Sequence, residues 1–221
     1  MKIKFNEVTG FSQIVAIILF VAVFFVGFLL GRKFEDNFLT ASVSIKSQSS
    51  SAISYKDDTT GFSLQYPIGW TVGKNYSYQE LGPGTDISGV KFTIPASLAT
   101  GTNLGNDSYL SVEKFSRAGF VCDANLFLQP GGSAQMIEQT VKENNITYSV
   151  ASTTGAGAGN RYFETVYAIP GATGVSPCIA VRYFIHYGVF ENYPAGSIKE
   201  FDQSALLTQF DAIRRTLKIS N

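Results

Sequence analysis

The side chains in this chain that could do acid–base chemistry are a single histidine and a nearby arginine. His186 is the only histidine, and it lies in the run Cys178–Tyr187, which has the composition of a strand. Because side chains alternate between faces along a strand, Arg182 and His186 share a face. A histidine near Ser or Asp can act as a general base. The chain has no Gly-x-Ser-x-Gly elbow or other nucleophile motif, so a structural or solvated His186 is favoured.

Two glycine-containing segments resemble ligand loops. Asn103–Ser108 offers oxygen ligands, but only Asp107 is acidic and calcium requires more carboxylates, so an ordinary turn is favoured. Thr153–Asn160 resembles a phosphate loop, but a nucleotide loop requires a helix after it, whereas Arg161 begins a predicted strand. We therefore predict a hairpin connection there, and no catalytic residue, cofactor or metal site anywhere in the chain.

The most informative segment is the uncharged run Phe11–Leu30. As a helix it is about 30 Å long, which matches the hydrocarbon core of a bilayer. The charged segment Gly31–Asp36 ends it without a small-x-small cleavage site, which favours a retained anchor over a cleaved signal peptide. A lesser alternative is a pilin-like stem, because Gly10 precedes Phe11, although Val15 stands where the pilin pattern has Glu.

The anchor predicts the layout of the chain. Residues 1–10 form a cytoplasmic tail, residues 11–31 cross the lipid bilayer, residues 32–54 are a Ser-rich linker and residues 55–221 form an extracytoplasmic domain. Basic residues flank the span equally, so the positive-inside rule gives no orientation. The short tail and two widely spaced cysteines favour a cytoplasmic N-terminus and an external C-terminal domain.

Cys122 and Cys178 are the only cysteines. Given an extracytoplasmic domain, we favour a disulfide between them. It would close a loop of about 57 residues and stabilise the fold by roughly 4 kcal/mol. The alternative is a pair of buried free thiols. Two distant cysteines and one histidine do not make a zinc site.

Charge disfavours nucleic acid as a partner. The chain has 17 Lys and Arg against 17 Asp and Glu, and no basic run.

The predicted elements that would position these side chains are mainly strands. Phe62, Leu64 and Tyr66 alternate with polar residues, Pro67 ends this strand, and Trp70 returns to the core. The other predicted strands lie around residues 90–94, 110–113 and 146–150, with 161–168 and 178–187 forming an antiparallel pair. Helices are predicted at Ser133–Glu143 and at Gln203–Leu217, the second with one apolar stripe.

Two motifs of this domain resemble those of a known family. Gly61-Phe62-Ser63-Leu64-Gln65-Tyr66-Pro67-Ile68-Gly69-Trp70 resembles the opening of PsbP-like domains, and Phe210–Ile219 resembles their closing helix and strand. The resemblance covers residues 55–221 and implies an α+β fold, in which an antiparallel sheet is flanked by helices. Members share a fold and not a function, so no site residue is carried over.

Two functions from different classes follow. We favour a membrane-anchored, extracytoplasmic, non-enzymatic domain that binds or assembles with an envelope component. The alternative is an envelope hydrolase or ligand-binding enzyme with a cleft around His186 and Arg182. A pocket holding His186 beside a hydroxyl or carboxylate would favour the enzyme, whereas His186 packed flat on a sheet would favour binding.

Overall fold

The computed structural model of the chain describes residues 52–79, 87–115, 121–128, 139–170 and 177–219. The predicted tail, membrane span and most of the linker therefore lie outside the described residues. Within these ranges, no helix is both long and apolar enough to cross a bilayer. The last residues assigned to the linker already belong to a strand, which begins at Ala52.

Strands dominate the described part of the chain. Two short 3-10 helices, at Ala124–Phe127 and Phe190–Asn192, join the regular elements. The regular elements are β1 (Ala52–Asp57), β2 (Phe62–Pro67), β3 (Thr71–Ser77), β4 (Ile87–Thr93), α1 (Ala96–Ala99), β5 (Tyr109–Phe115), β6 (Gln139–Glu143), β7 (Ile146–Gly157), β8 (Asn160–Ile169), β9 (Cys178–Gly188), α2 (Gln203–Arg214) and β10 (Lys218–Ile219).

The strands form two antiparallel sheets. The larger has seven strands in the order β3-β4-β5-β9-β8-β7-β6, and the smaller has the order β1-β2-β10. The predicted pairing of residues 161–168 with 178–187 is confirmed, because β8 and β9 pair from Asn160 opposite Gly188 to Ile169 opposite Ile179. The antiparallel α+β class predicted from the sequence is confirmed for the described residues.

Helix α2 packs on one face of the large sheet, as its apolar stripe predicted. The Phe210 ring lies 5.1 Å from the Tyr183 ring of β9, and Leu206, Phe210 and Ile213 are buried in one cluster with residues of β9 and β2. The Asp202 carboxylate caps the helix by accepting a hydrogen bond from the Ala205 backbone N–H at 2.9 Å. The helix ends at Arg214, three residues earlier than predicted.

The predicted return of Trp70 to the core is confirmed. Its side chain is buried, and its ring packs edge-on against Phe210 with 5.7 Å between centroids. This contact joins the end of the first motif of the PsbP-like resemblance to the start of the second.

The predicted helix at Ser133–Glu143 is wrong where it can be compared. Residues 139–143 form β6, which pairs with β7, and residues 133–138 lie outside the described residues. Asn144 and Asn145 have positive φ angles of 49° and 64° and make the two-residue turn between these strands. This backbone conformation is typical of a type I′ hairpin turn, for which asparagine is well suited. The hairpin turn therefore makes residues 139–143 a strand, although the spacing of Ile137 and Val141 suits a helix.

The glycine-rich segment Thr153–Asn160 is a hairpin, as predicted, but most of it is strand. Residues up to Gly157 pair with β8, and only Ala158 and Gly159 form the turn, both with positive φ. No helix follows, so the segment lacks the geometry of a phosphate loop.

We expect Gly89→Ala to destabilise the sheet. A Cβ atom at residue 89 would lie 2.0 Å from the Val112 carbonyl oxygen and 2.9 Å from the Glu113 Cα, so β4 and β5 would have to move apart. The expected loss in free energy of unfolding is about 2 kcal/mol, measured by denaturant titration.

The matched control is Gly73→Ala in β3, where the nearest atoms lie 3.9 Å away. This variant should stay within about 0.5 kcal/mol of the parent. Equal losses for the two variants would contradict the close approach of β4 and β5.

Candidate functional site

Strand β9 carries Arg182 to the centre of the large sheet, where the side chain has no solvent exposure. Its Nε donates to Glu113 Oε1 at 2.8 Å, and its Nη2 donates to Glu113 Oε2 at 3.0 Å and to the Phe127 carbonyl oxygen at 2.6 Å. The Nη1 atom donates to Glu164. The Tyr78 ring covers the guanidinium at 3.6 Å. Arg182 is therefore held on every side by protein groups.

The charge state of Arg182 follows from these contacts. Burial opposes the charged form, but the carboxylates of Glu113 and Glu164 outweigh burial and raise the pKa of Arg182 further above its ordinary value. An arginine with its donors committed in this way holds the structure together and does not bind a substrate. We call Arg182, Glu113 and Glu164 the buried charge cluster.

His186 lies on the same face of β9 but in a separate environment. Its Nδ1 is 2.8 Å from Asp107 Oδ1, and its ring stacks on Tyr162 at 4.8 Å with an interplanar angle of 13°. A Cβ atom at Gly105 would lie 2.5 Å from Asp107 Oδ1 and 2.8 Å from His186 Nδ1. Only glycine therefore allows this pair to form against the loop.

The loop Asn103–Ser108 is a structural turn, as predicted. Asn103 is buried, and its side chain donates to the Gly188 carbonyl oxygen and accepts from the Phe201 N–H. The Ser108 hydroxyl bonds the main chain of His186, accepting from its N–H at 3.0 Å. Ser108 is thus bound to the His186 backbone and not to its imidazole.

The structure does not combine His186 and Arg182 into one site. Between them lies Phe184, whose ring belongs to a row of stacked rings that crosses the sheet. Neither of two clefts in the described part of the chain is lined by His186 or Arg182. His186 thus meets one feature of each functional alternative, because it lies beside a carboxylate and is also packed flat against a neighbouring ring.

The row of rings, which we call the aromatic ladder, runs over four strands. Tyr109 stacks on Phe184 at 4.9 Å, and Tyr76 meets Tyr109 edge-on at 5.5 Å. The stacked spacings equal the separation of neighbouring strands, as expected for rings on paired strands. The ladder consists of Tyr76, Tyr109, Tyr162, Phe184 and His186.

Tyr193 extends the ladder at the end of the hairpin. A Cβ atom at Gly188 would lie 2.3 Å from Tyr193 Oη, so the Tyr193 ring covers the point where β9 has no side chain. Tyr193 is 39% exposed, and the neighbouring Phe190 is 38% exposed. These are the most accessible aromatic side chains beside the ladder.

The ladder carries little charge. Burial raises the pKa of Tyr76 and Tyr109 well above the ordinary value, and their hydroxyl groups share a hydrogen bond of 2.7 Å. Both phenols are therefore neutral at physiological pH. The Lys91 ammonium lies 5.3 Å from the Tyr109 ring centre and 5.7 Å from that of Tyr76, where it is stabilised by both rings.

The part of this sheet face on the other side of Arg182 is covered by a segment that a disulfide fixes to β9. The 3-10 helix Ala124–Phe127 packs on it, and the predicted disulfide joins Cys122 to Cys178 at the start of β9, with 5.4 Å between Cα atoms. The described residues include no cluster of three or more side chains suited to hold a metal ion.

Sequence reasoning missed the partners of both candidate side chains. Glu113 lies on β5 and Glu164 on β8, and only the register of β9 against both strands brings them to Arg182. The sequence identifies Asp107 only as the single acidic residue of its loop. Alternation does place Glu113 on the same face as Ser111 and Tyr109, which was the available signal.

Comparison with known proteins finds similarity in structure only. No protein-family model and no curated protein matches the chain. A solution structure of cyanobacterial PsbP (CyanoP) from Synechocystis sp. PCC 6803 is similar over 79% of this chain and 95% of its own, with 16% identity and a TM-score of 0.42.

A second similar structure is a crystal structure from Bacteroides thetaiotaomicron VPI-5482, with 12% identity and a TM-score of 0.38. The match covers 76% of this chain but 48% of that protein, so the chain spans about half its length.

We expect Arg182→Leu to cost about 3–5 kcal/mol of unfolding free energy, because it leaves the buried Glu113 and the partly buried Glu164 without their cation. The double variant Glu113→Leu/Arg182→Leu should recover part of that loss, since it removes the fully buried carboxylate, while Glu164 keeps its hydrogen bond from Tyr78. Denaturant titration of all variants measures both effects.

The control is Arg215→Leu, because Arg215 is 51% exposed and its ion pairs with Glu143 and Asp211 are long, at 3.3 Å and 3.7 Å. Its loss should stay below about 1 kcal/mol. A comparably small loss for Arg182→Leu would show that the cluster is not a structural constraint.

Proposed function

We propose that this chain is a membrane-tethered accessory protein whose external domain is non-enzymatic and binds another envelope protein. The observation that carries this proposal is the aromatic ladder, of which Tyr162, Phe184 and His186 are partly accessible, with the exposed Tyr193 at its end. Tyrosine and phenylalanine are enriched in protein interfaces, and a few such side chains dominate binding energy.

The chemistry of the ladder favours a protein over other envelope components. Its rings face one another, so the partly accessible pair of Tyr162 and His186 offers ring edges instead of open ring faces. Lys91 lies beside the ladder, over Tyr76 and Tyr109, and a single lysine does not make a cluster of cations for anionic headgroups. An aromatic surface with little charge suits the mixed polar and apolar surface of a folded protein.

The tether is supported by the sequence. The uncharged run from Phe11 is long enough to span a bilayer, and the charged segment after it lacks a cleavage site. The Cys122–Cys178 disulfide agrees with an oxidising compartment outside the cytoplasm.

One observation favours the enzymatic alternative. Asp107 orients the His186 ring and leaves Nε2, which has no hydrogen-bond partner within the described residues, as the atom that could accept a proton. The Asp107–His186 pair therefore resembles the carboxylate and histidine that act as the general base in many hydrolases. Against it, the Ser108 hydroxyl is bound to the main chain of His186, and both described clefts lie elsewhere.

We expect the C-terminal domain to lie outside the cell. Protease added to intact cells that carry a C-terminal tag should remove the tag, while a cytoplasmic marker protein survives. The mature protein should still begin upstream of residue 11 when its N-terminus is determined. A tag that stays shielded until lysis, or a mature N-terminus beyond residue 31, would contradict the tether.

A partner should be captured from the ladder and not from the opposite side of the domain. We expect a photo-crosslinking residue at Tyr193 in cells to join the chain to one defined envelope protein. The same residue at Thr208, which is exposed on α2, is the matched control and should not capture it. In a purified binding assay with that protein, Tyr193→Ala should weaken affinity about tenfold or more.

Two outcomes would contradict this proposal. One is identical capture from positions 193 and 208. The other is unchanged affinity of both Tyr193→Ala and Tyr162→Ala for the captured protein. A hydrolytic activity that is lost in Asp107→Asn would instead establish the enzymatic alternative.

A further inference from the structure

The other face of the large sheet holds a cleft that neither function uses. It lies between α2, which contributes Leu207 and Asp211, and the strands β7 and β8, with Tyr183 of β9 also in its lining. Its volume is about 410 Å³. Small-molecule sites commonly have volumes of about 300–1,000 Å³, so a compact ligand fits.

The cleft is lined by hydroxyl groups that retain hydrogen-bonding capacity. Ser152 Oγ and Thr165 Oγ1 lie 2.9 Å apart and share one hydrogen bond. Whichever hydroxyl donates, the other keeps a proton to donate, and both keep lone pairs. Gln139 adds an amide with both donor and acceptor groups. This pattern suits a ligand that both donates and accepts hydrogen bonds.

Arg214 fixes the polar wall beneath the helix. It is 2% exposed, and its Nε donates to Tyr183 Oη at 2.7 Å while its Nη2 donates to Asp211 Oδ1 at 3.0 Å. Tyr183 in turn donates to Asp211 Oδ1 at 2.8 Å, and the guanidinium lies 4.1 Å from the Tyr167 ring centre. These contacts hold three lining side chains in place before any ligand arrives, which reduces the entropy cost of binding.

Charge balance excludes an anionic ligand. Arg214 pairs with Glu143 at 2.7 Å as well as with Asp211, and Arg215 lies 3.7 Å from Asp211 Oδ2. The two cations are therefore matched by two carboxylates, and among the described residues that line the cleft the charged one is the acidic Asp211. Asp211 accepts hydrogen bonds well but repels a phosphate or carboxylate.

We propose that this cleft binds a small neutral polyhydroxylated molecule of the monosaccharide class. Ser152, Thr165, Gln139 and Asp211 supply the hydrogen-bonding groups that hydroxyl-rich ligands need, and Phe163 adds an aromatic wall for their apolar C–H surface. The site lies on the opposite face from the aromatic ladder, so it does not depend on the proposed partner.

The test uses the full chain in lipid nanodiscs, which avoid sugar-based detergents. Saturation-transfer NMR with glucose, mannose and N-acetylglucosamine as probes should detect at least one of them. Leu207→Trp fills the cleft and should abolish the signal. Thr208→Trp places the same bulk on the exposed side of α2 and should leave it unchanged. Ser152→Ala should weaken affinity by about threefold to tenfold, as expected for one lost hydrogen bond.

Two results would overturn the proposal. One is the absence of binding of all three sugars at about 10 mM, above the millimolar affinities that the assay detects. The other is equal binding by Leu207→Trp and Thr208→Trp, which would place the sugar elsewhere. If Leu207→Trp fails to fold, Ser152→Ala decides, and unchanged affinity in it would also overturn the site.

Discussion

The buried charge cluster is the constraint on which the large sheet depends. Arg182 is fully buried, and a guanidinium in that position is tolerated only if carboxylates and carbonyl groups surround it. Its partners come from β5, β8 and the 3-10 helix, and the Tyr78 ring follows β3. A shift of β9 by one residue would move Arg182 to the other face and leave both glutamates unpaired. The cluster therefore penalises every alternative register of the central strands.

The cluster also divides one face of the sheet into two parts. On one side of Arg182, the disulfide and the segment Ala124–Phe127 cover small residues such as Ala168 and Ala180. On the other side, larger rings stand on the same strands and remain partly accessible. The proposed partner surface is the half in which Tyr162, Phe184 and His186 keep partial exposure.

Alternation predicted most of the sheet and little of its polar interior. The period of two along Phe62–Tyr66 and along Cys178–Tyr187 was sufficient to identify strands, and the stripe on α2 was sufficient to place the helix. The partners of Arg182 and His186 could not be read in this way, because Glu113 and Asp107 are 69 and 79 residues distant. Hydrogen-bonded pairs at such distances depend on strand order, which no local pattern encodes. The error at β6 was local, because the two asparagines after Glu143 are a hairpin signal.

Strand β9 links the two proposed sites while keeping them chemically separate. Its alternate residues face opposite sides, so Arg182 belongs to the buried charge cluster and the adjacent Tyr183 belongs to the cleft under α2. Each of these two side chains is held by charged hydrogen bonds. Arg214 binds Tyr183, and Glu113 and Glu164 bind Arg182. A strand fixed by charged hydrogen bonds on both faces has little freedom to shift or rotate. A ligand in the cleft would therefore meet walls that are already in place, and the ladder on the other face would keep its geometry whether or not the cleft is occupied.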